Sequence, residues 1–397
     1  MKSKTAILIA SIFVCLIINF NAFSQSNVES VIKEISGNNK SLIANAQLLQ
    51  SKKLESKVGI SLYNPFIEIT NLFGASDNKG DQTEFKVIQA FDFPTSYSKR
   101  NKLSDLKMQQ TNFEREIFRQ NVLLEAKLIC MELIYLNKKK LILTRRSVII
   151  ENLFNLYQTK LEKGEGNILD VNKAKINLLN IKTELLVLEN EINELNQRLI
   201  ELNGGKSIIF NDTLYPVTPP IPEFATLENT IEESDPLRKS LLQEKLINQG
   251  QIDLSKSLSL PKFEIGYYYL GLSNQNFNGI HLGFSIPLWE NNYRTDFYKS
   301  RVLYSNLEIE SHKTEHYYEI KQQYDKYETL RNALNEYLTV LESLKSEELL
   351  INALNVGEIS ILEYFIEVNY YNLSYDKFLE LEKEYNKVVA ELFKYQL

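Results

Sequence analysis

Few residues in this sequence are placed to do chemistry. Of its 397 residues only three are histidine. Two of them, His312 and His316, stand four apart with Glu315 beside them. On a helix that spacing puts both imidazoles on one face, an arrangement that can bind zinc. No third ligand is evident and the metalloprotease order H-E-x-x-H is absent, so no metal is expected there. The glycine pair in Leu202-Asn203-Gly204-Gly205-Lys206 lacks the spacing of a phosphate loop. No serine–histidine or cysteine–histidine arrangement stands out. No catalytic residue and no cofactor is therefore expected, and the chain does not read as an enzyme. A formal net charge of −6 with no basic patch argues against nucleic acid as a partner.

The elements around these residues are long helices. The chain has 14 Gly and 9 Pro. None of the prolines falls within 95–215 or 288–397. A doubly wound α/β protein would need turn signals far more often. The first residues read as an address: Lys2 and Lys4, then an apolar run over 6–20, then Ala22-Phe23-Ser24 with small residues suited to cleavage before Gln25. This is the pattern of a secretory signal peptide over 1–24; an uncleaved anchor is the other reading. Cys130 would then be the only cysteine of the mature chain, buried as a small hydrophobe.

The mature chain repeats itself. Asn64-Pro65-Phe66-Ile67-Glu68-Ile69 matches Leu260-Pro261-Lys262-Phe263-Glu264-Ile265 at an offset of 196. Phe91-Asp92-Phe93-Pro94 matches Phe284-Ser285-Ile286-Pro287 at 193, and so does 164–170 against 357–363. Unit one spans 25–203: a helix, a β-hairpin over 63–93, a long helix over 97–160, a tip at 161–167 and a helix over 168–202. A Gly- and Pro-rich linker, 204–224, joins it to unit two over 225–397. There a helix (226–256) is followed by a hairpin (261–288), a long helix (290–354), a tip (355–360) and a helix (361–396). The strands alternate apolar and polar side chains, as a sheet between an apolar and a wet environment does. Loops over 74–81 and 271–279 are expected to close the hairpins. Leu178, Ile181, Leu185, Leu188, Ile192, Leu195, Leu199 and Leu202 form an a/d seam. Ile320, Tyr324, Tyr327, Leu334, Tyr337, Leu341 and Leu344 repeat it with one slot skipped.

Four strand-sized segments are long enough to cross a bilayer as tilted strands. An open sheet edge in lipid would leave backbone groups unpaired, so a barrel must close. Four strands per chain require several chains. Two would give an interior filled by side chains, and three a lumen. Trp289 with Tyr267, Tyr268 and Tyr269 suits an interfacial aromatic girdle; core packing is the other reading for each.

The duplicated helix–hairpin–long-helix unit, the P-x-[I/F]-E-I first strand, the F-x-[F/I]-P strand end and the tip pattern of Gly164 and Gly357 resemble the TolC-type outer membrane efflux proteins. The short hairpin start is more similar to the heavy-metal and cation efflux branch. The resemblance implies a mainly α fold with a membrane β-barrel contribution. It implies an obligate homotrimer, with a 12-stranded barrel in outer membrane lipid and an α-helical tunnel in the periplasm. It further implies a passive exit duct, supplied by a periplasmic adaptor and a proton-driven inner-membrane pump, carrying heavy-metal cations or small toxic compounds. The family closes its aperture with acidic residues after the second tip glycine. Here the first acid falls on Glu363, with Asp170 its unit-one counterpart. The second falls on Ile366 and the neighbouring basic position on Ile359, a departure from the fully charged gate. Three Glu363 carboxylates close together would raise one another's pKa. The other reading has Glu363 and Asp170 only favouring helix N-termini. Lys163, Gly164, Glu165, Val356, Gly357 and Glu358 become adaptor-docking tips, and Glu68 and Glu264 lumen-facing strand positions. Two rivals remain: a periplasmic coiled-coil adaptor, and a soluble zinc enzyme built on His312 and His316.

Overall fold

Apolar positions at heptad spacing build the helices of this computed structural model, which describes residues 27–74, 80–272, 275–343 and 346–397. The leader, residues 1–24, lies outside the described residues, as does Leu344. The elements in chain order are α1 (Asn27–Asn38), α2 (Lys40–Glu55), β1 (Phe66–Leu72), β2 (Gln82–Phe91), α3 (Thr95–Glu162) and α4 (Ile168–Leu202). Then follow α5 (Phe224–Ser234), α6 (Pro236–Leu258), β3 (Lys262–Leu272), β4 (Gln275–Ser285), α7 (Arg294–Ser343), α8 (Ser346–Val356) and α9 (Ile361–Leu392), with a 3₁₀ turn at Lys394–Gln396. No described helix is long and apolar enough to cross a membrane.

The chain forms two compact units, each drawing on both sequence repeats. The first contains the segment up to Ile43, Arg119–Leu227 and Glu319–Leu397. Its core joins Val28 and Ile35 of α1, Leu123, Cys130 and Ile134 of α3, the α4 seam and Leu379 of α9. Seam residues Leu188, Ile192, Leu199 and Leu202 are buried, and Leu185 and Leu195 pack against them. Ion pairs Glu125–Arg198, Lys139–Glu184 and Glu151–Lys182 run α3 antiparallel to α4. Burial pushes the Cys130 thiol up to about 12, so it stays a neutral packing group. The linker does not hang free: Ile208 and Phe210 are buried in this core, and the Lys138 ammonium lies 4.9 Å from the Tyr215 ring centroid.

The second unit contains Ala44–Phe118 and Glu228–Tyr318. Here α6 runs antiparallel to the first part of α3, through Lys99–Asp253 and Gln110–Ser240. The sheet is an antiparallel meander ordered β1-β2-β3-β4, so the two repeats meet at the β2–β3 pairing. Paired residues of an antiparallel ladder share a face. One face therefore carries Ile67, Ile69, Phe85, Val87, Phe263, Ile265, Tyr267, Ile280, Leu282 and Phe284. The other carries Glu68, Glu84, Lys86, Glu264, Tyr268 and His281.

Sequence expectations change at several places, and the single helix expected at the start of unit one is α1 and α2. The helix expected over 226–256 is two helices, because Pro236 lacks an N–H and cannot continue α5. Pro236 instead starts α6, with Asp235 as N-cap accepting from the Leu237 and Arg238 amides at 3.0 Å each. Asn39 does the same for α2, its Oδ1 accepting from the Leu42 amide at 2.9 Å. Asn39 and Asp235 are 196 residues apart, the offset of the strand motif. The loop expected over 271–279 is mostly strand. Its turn-like asparagines are satisfied across the ladder, where Tyr269 and Tyr267 hydroxyls donate to Asn276 and Asn278 at 3.1 Å. The long helix expected over 290–354 starts at Arg294, after a turn in which Tyr293 has φ 62°.

Candidate functional site

The tips of the two helical hairpins are built alike. Helix α3 ends in a Schellman motif: the Glu165 amide donates to the Lys160 carbonyl at 2.9 Å and the Gly164 amide to Leu161 at 3.0 Å. At the second tip the Glu358 amide donates to Ala353 at 2.9 Å and the Gly357 amide to Leu354 at 3.3 Å. Gly164 and Gly357 have φ of +75° and +79°, the left-handed region that favours glycine. Asn167 then caps α4 and Ser360 caps α9. Lys163, Glu165, Val356 and Glu358 are all exposed around these turns. Beneath them Ile150, Leu153, Leu178, Tyr364 and Val368 form one buried apolar cluster, against which Leu354 and Ile359 pack. The two hairpins of the first unit therefore share a core next to their tips.

Glu363 sits at the third position of α9 in a capping box. Its carboxylate accepts from the Ser360 amide at 2.7 Å, and its own amide donates to Ser360 Oγ at 3.3 Å. The hydrogen bond from the Ser360 backbone, then that with its hydroxyl, holds the carboxyl below the usual range. That direction is opposite to the rise expected of a ring of like charges, which a single chain does not contain. Asp170 occupies the equivalent first turn of α4 with its carboxylate 3.8 Å from Lys173 Nζ. Both acids thus do serve helix N-termini.

In the second unit Glu68 and Glu264 fall on the same polar sheet face, each beside a basic side chain. Lys86 Nζ lies 3.7 Å from Glu68 and 3.3 Å from Glu84, and 5.3 Å from the Tyr268 ring centroid. His281 Nε2 lies 3.7 Å from Glu264. Lys86, Glu84 and His281 were not singled out from sequence, although strand alternation alone places all three on this face. Asp92, within the hairpin expected over 63–93, lies just past β2 and is buried. There it pairs with Arg100 and accepts from the Tyr63 hydroxyl at 3.2 Å. Asp235 was missed altogether. It reaches His312 Nε2 at 2.7 Å, whereas Glu315, the acid beside the histidines in sequence, accepts from Ser311 Oγ.

No family model matches the sequence, and no curated protein matches it. Solved structures do match, over nearly the whole chain. CusC superposes with a TM-score of 0.76 at 14% identity, covering 94% of this chain and 92% of that chain. A membrane protein from Pseudomonas aeruginosa gives 0.76 at 13% identity, covering 94% and 90%. The Campylobacter jejuni CmeC outer membrane channel gives 0.69 at 13% identity, covering 93% and 85%. The chain therefore has the TolC-type outer membrane channel fold.

The tips generate a direct prediction. A Cβ at Gly164 or Gly357 would meet no atom within 4 Å, so alanine there costs only the left-handed backbone, about 1–2 kcal/mol. Gly164→Ala should speed hydrogen exchange at the Glu165 amide, and Gly357→Ala at the Glu358 amide, by roughly 5–30-fold. Unchanged exchange at these amides would show that the turns do not depend on glycine.

Proposed function

We propose that this chain is the outer membrane channel of a tripartite efflux system: a passive exit duct and not an enzyme. The observation that carries this reading is the four-stranded sheet. Its apolar face is exposed in the single chain, with Ile280, Leu282 and Phe284 each more than 70% accessible. Its outer strands β1 and β4 are both open edges. Lipid suits the apolar face, but it cannot satisfy the backbone groups of the edges, so sister copies must pair with them. Three copies close a barrel of 12 strands with a lumen, and Glu68, Lys86, Glu264 and His281 then line the water-filled side. The helices of the first unit form the periplasmic tunnel of the mature chain, which starts at residue 25. Its tips at 161–167 and 355–360 dock a periplasmic adaptor, which couples the duct to a proton-driven inner-membrane pump. The periplasmic adaptor alternative is disfavoured by the two equivalent helical hairpins and the single sheet. The hairpin start, similar to that of the heavy-metal and cation efflux branch, makes heavy-metal cations or small toxic compounds the proposed cargo.

Glu363 is the proposed gate acid. A ring of three carboxylates at a narrow entrance focuses cations, with Asp170 contributing the same charge one repeat earlier.

Three outcomes test this reading. The purified mature chain should require detergent and elute as a trimer by light scattering; a monomer stable in plain buffer would sink the proposal. Glu363→Gln keeps the capping box, because glutamine also serves at that position, and should lower cation selectivity in bilayer conductance. Wild-type selectivity would remove Glu363 from the gate. Photo-crosslinkers at Glu165 and Glu358 should capture an adaptor in cells that express the pump, and a failure to form that adduct would count against docking at the tips.

A further inference from the structure

The histidine pair on α7 belongs to none of the channel surfaces described above. His312 and His316 stack their rings with centroids 5.1 Å apart and planes 19° apart. Asp235, the N-cap of α6, brings Oδ2 to 2.7 Å from His312 Nε2. Glu232, near the end of α5, brings Oε2 to 3.1 Å from His316 Nδ1. One ligand atom from each of Asp235, His312 and His316 lies within 4.8 Å of the others. These side chains are 11%, 15% and 16% exposed, so they are largely withdrawn from solvent without being sealed off. The helices explain the grouping. An i,i+4 pair faces one side of α7, and the break forced by Pro236 turns an N-cap carboxylate toward that side.

The geometry points to a divalent transition-metal site in the second unit, with His312, His316 and Asp235 as ligands and zinc as its natural test ion. The donor chemistry fits. Two imidazoles and one carboxylate suit zinc and its borderline neighbours, whereas calcium and magnesium take oxygen ligands. Bonds of about 2.0–2.2 Å around a tetrahedral ion place ligand atoms roughly 3.3–3.5 Å apart. Asp235 and His312 are now slightly closer than that, and the full set spans no more than 4.8 Å. Small side-chain rotations are enough. Three protein ligands leave a fourth position for water. Glu232 supplies the outer contact such sites use. By accepting Nδ1–H of His316 it leaves the lone pair on the other ring nitrogen, the carboxylate–histidine–metal arrangement. Arg238 Nε, 2.8 Å from Glu232 Oε1, holds that carboxylate in its orienting position. A bound ion would staple the α5–α6 corner to α7, a structural role that does not depend on what the channel carries.

The test uses the full mature chain in detergent, stripped with chelator and titrated with zinc by calorimetry, with cobalt(II) absorption as a probe of nitrogen coordination. One zinc per chain is expected, with a rise in thermal midpoint. His312→Gln and His316→Gln should each abolish both, and Glu232→Gln should weaken binding about 10–100-fold. Glu315→Gln, whose carboxylate bonds Ser311 instead, should bind as wild type. No uptake by the wild-type chain, or uptake unchanged in both histidine variants, would overturn the site and leave two histidine–carboxylate hydrogen bonds in its place. Asp235→Asn keeps an N-cap, so loss of zinc in a normally melting variant separates ligation from capping.

Discussion

The hydrogen-bonding capacity of two sheet edges governs this protein. A β-strand at an edge presents one row of N–H and C=O groups with no partner. In water, such edges are tolerated. Beside an apolar face made of Ile67, Ile69, Phe85, Val87, Ile280, Leu282 and Phe284 they are not, because the surroundings that suit those side chains cannot solvate the backbone. In the proposed assembly both requirements are met together, by pairing β1 of one copy with β4 of the next. The β2–β3 pairing joins the repeats into one sheet, and the polar face gathers Glu68, Lys86, Glu264 and His281.

Duplication supplies the rest of the architecture by reusing local devices. Asn39 and Asp235 cap helices at equivalent points, and Gly164 and Gly357 end helices in the same Schellman geometry. The copies are not identical in chemistry. Where the first tip has Gly166, a Cβ would come within 2.7 Å of the Leu161 backbone, whereas the second tip holds Ile359 packed against the shared apolar cluster. The first tip is capped by Asn167 alone and the second by a full capping box that engages Glu363. A carboxylate committed to its own helix stays anionic and fixed in place.

Much of the fold was legible in the sequence because its signals are local. The 3,4 spacing of leucines sets the α4 seam, and those residues are buried or packed against the core. Strand alternation placed Glu68 and Glu264 on the polar face. The misreadings have local physical causes as well. Pro236 was absorbed into a helix it must begin. The asparagines at 276 and 278 looked like a turn, yet tyrosine hydroxyls one strand away satisfy them. The Gly- and Pro-rich linker looked like a spacer, yet Ile208 and Phe210 are buried in a helical core.

Taken alone, the sequence determined helix and strand periodicity, the two tips, the duplication and the separation of polar from apolar strand faces. Apart from the duplication, which is read from matches 193–196 residues apart, each of these depends on residues within a few turns or pairs of one another. Only the tertiary structure decided which distant groups meet. Asp235 lies 77 residues from His312 and no spacing rule connects them; a helix break and an interhelical packing bring them to 2.7 Å. Lys86 between Glu68 and Glu84, and Asp92 buried against Arg100, were likewise settled by strand register and helix docking. Side-chain chemistry is written residue by residue, but coordination and charge pairing depend on distances that only the packed chain sets.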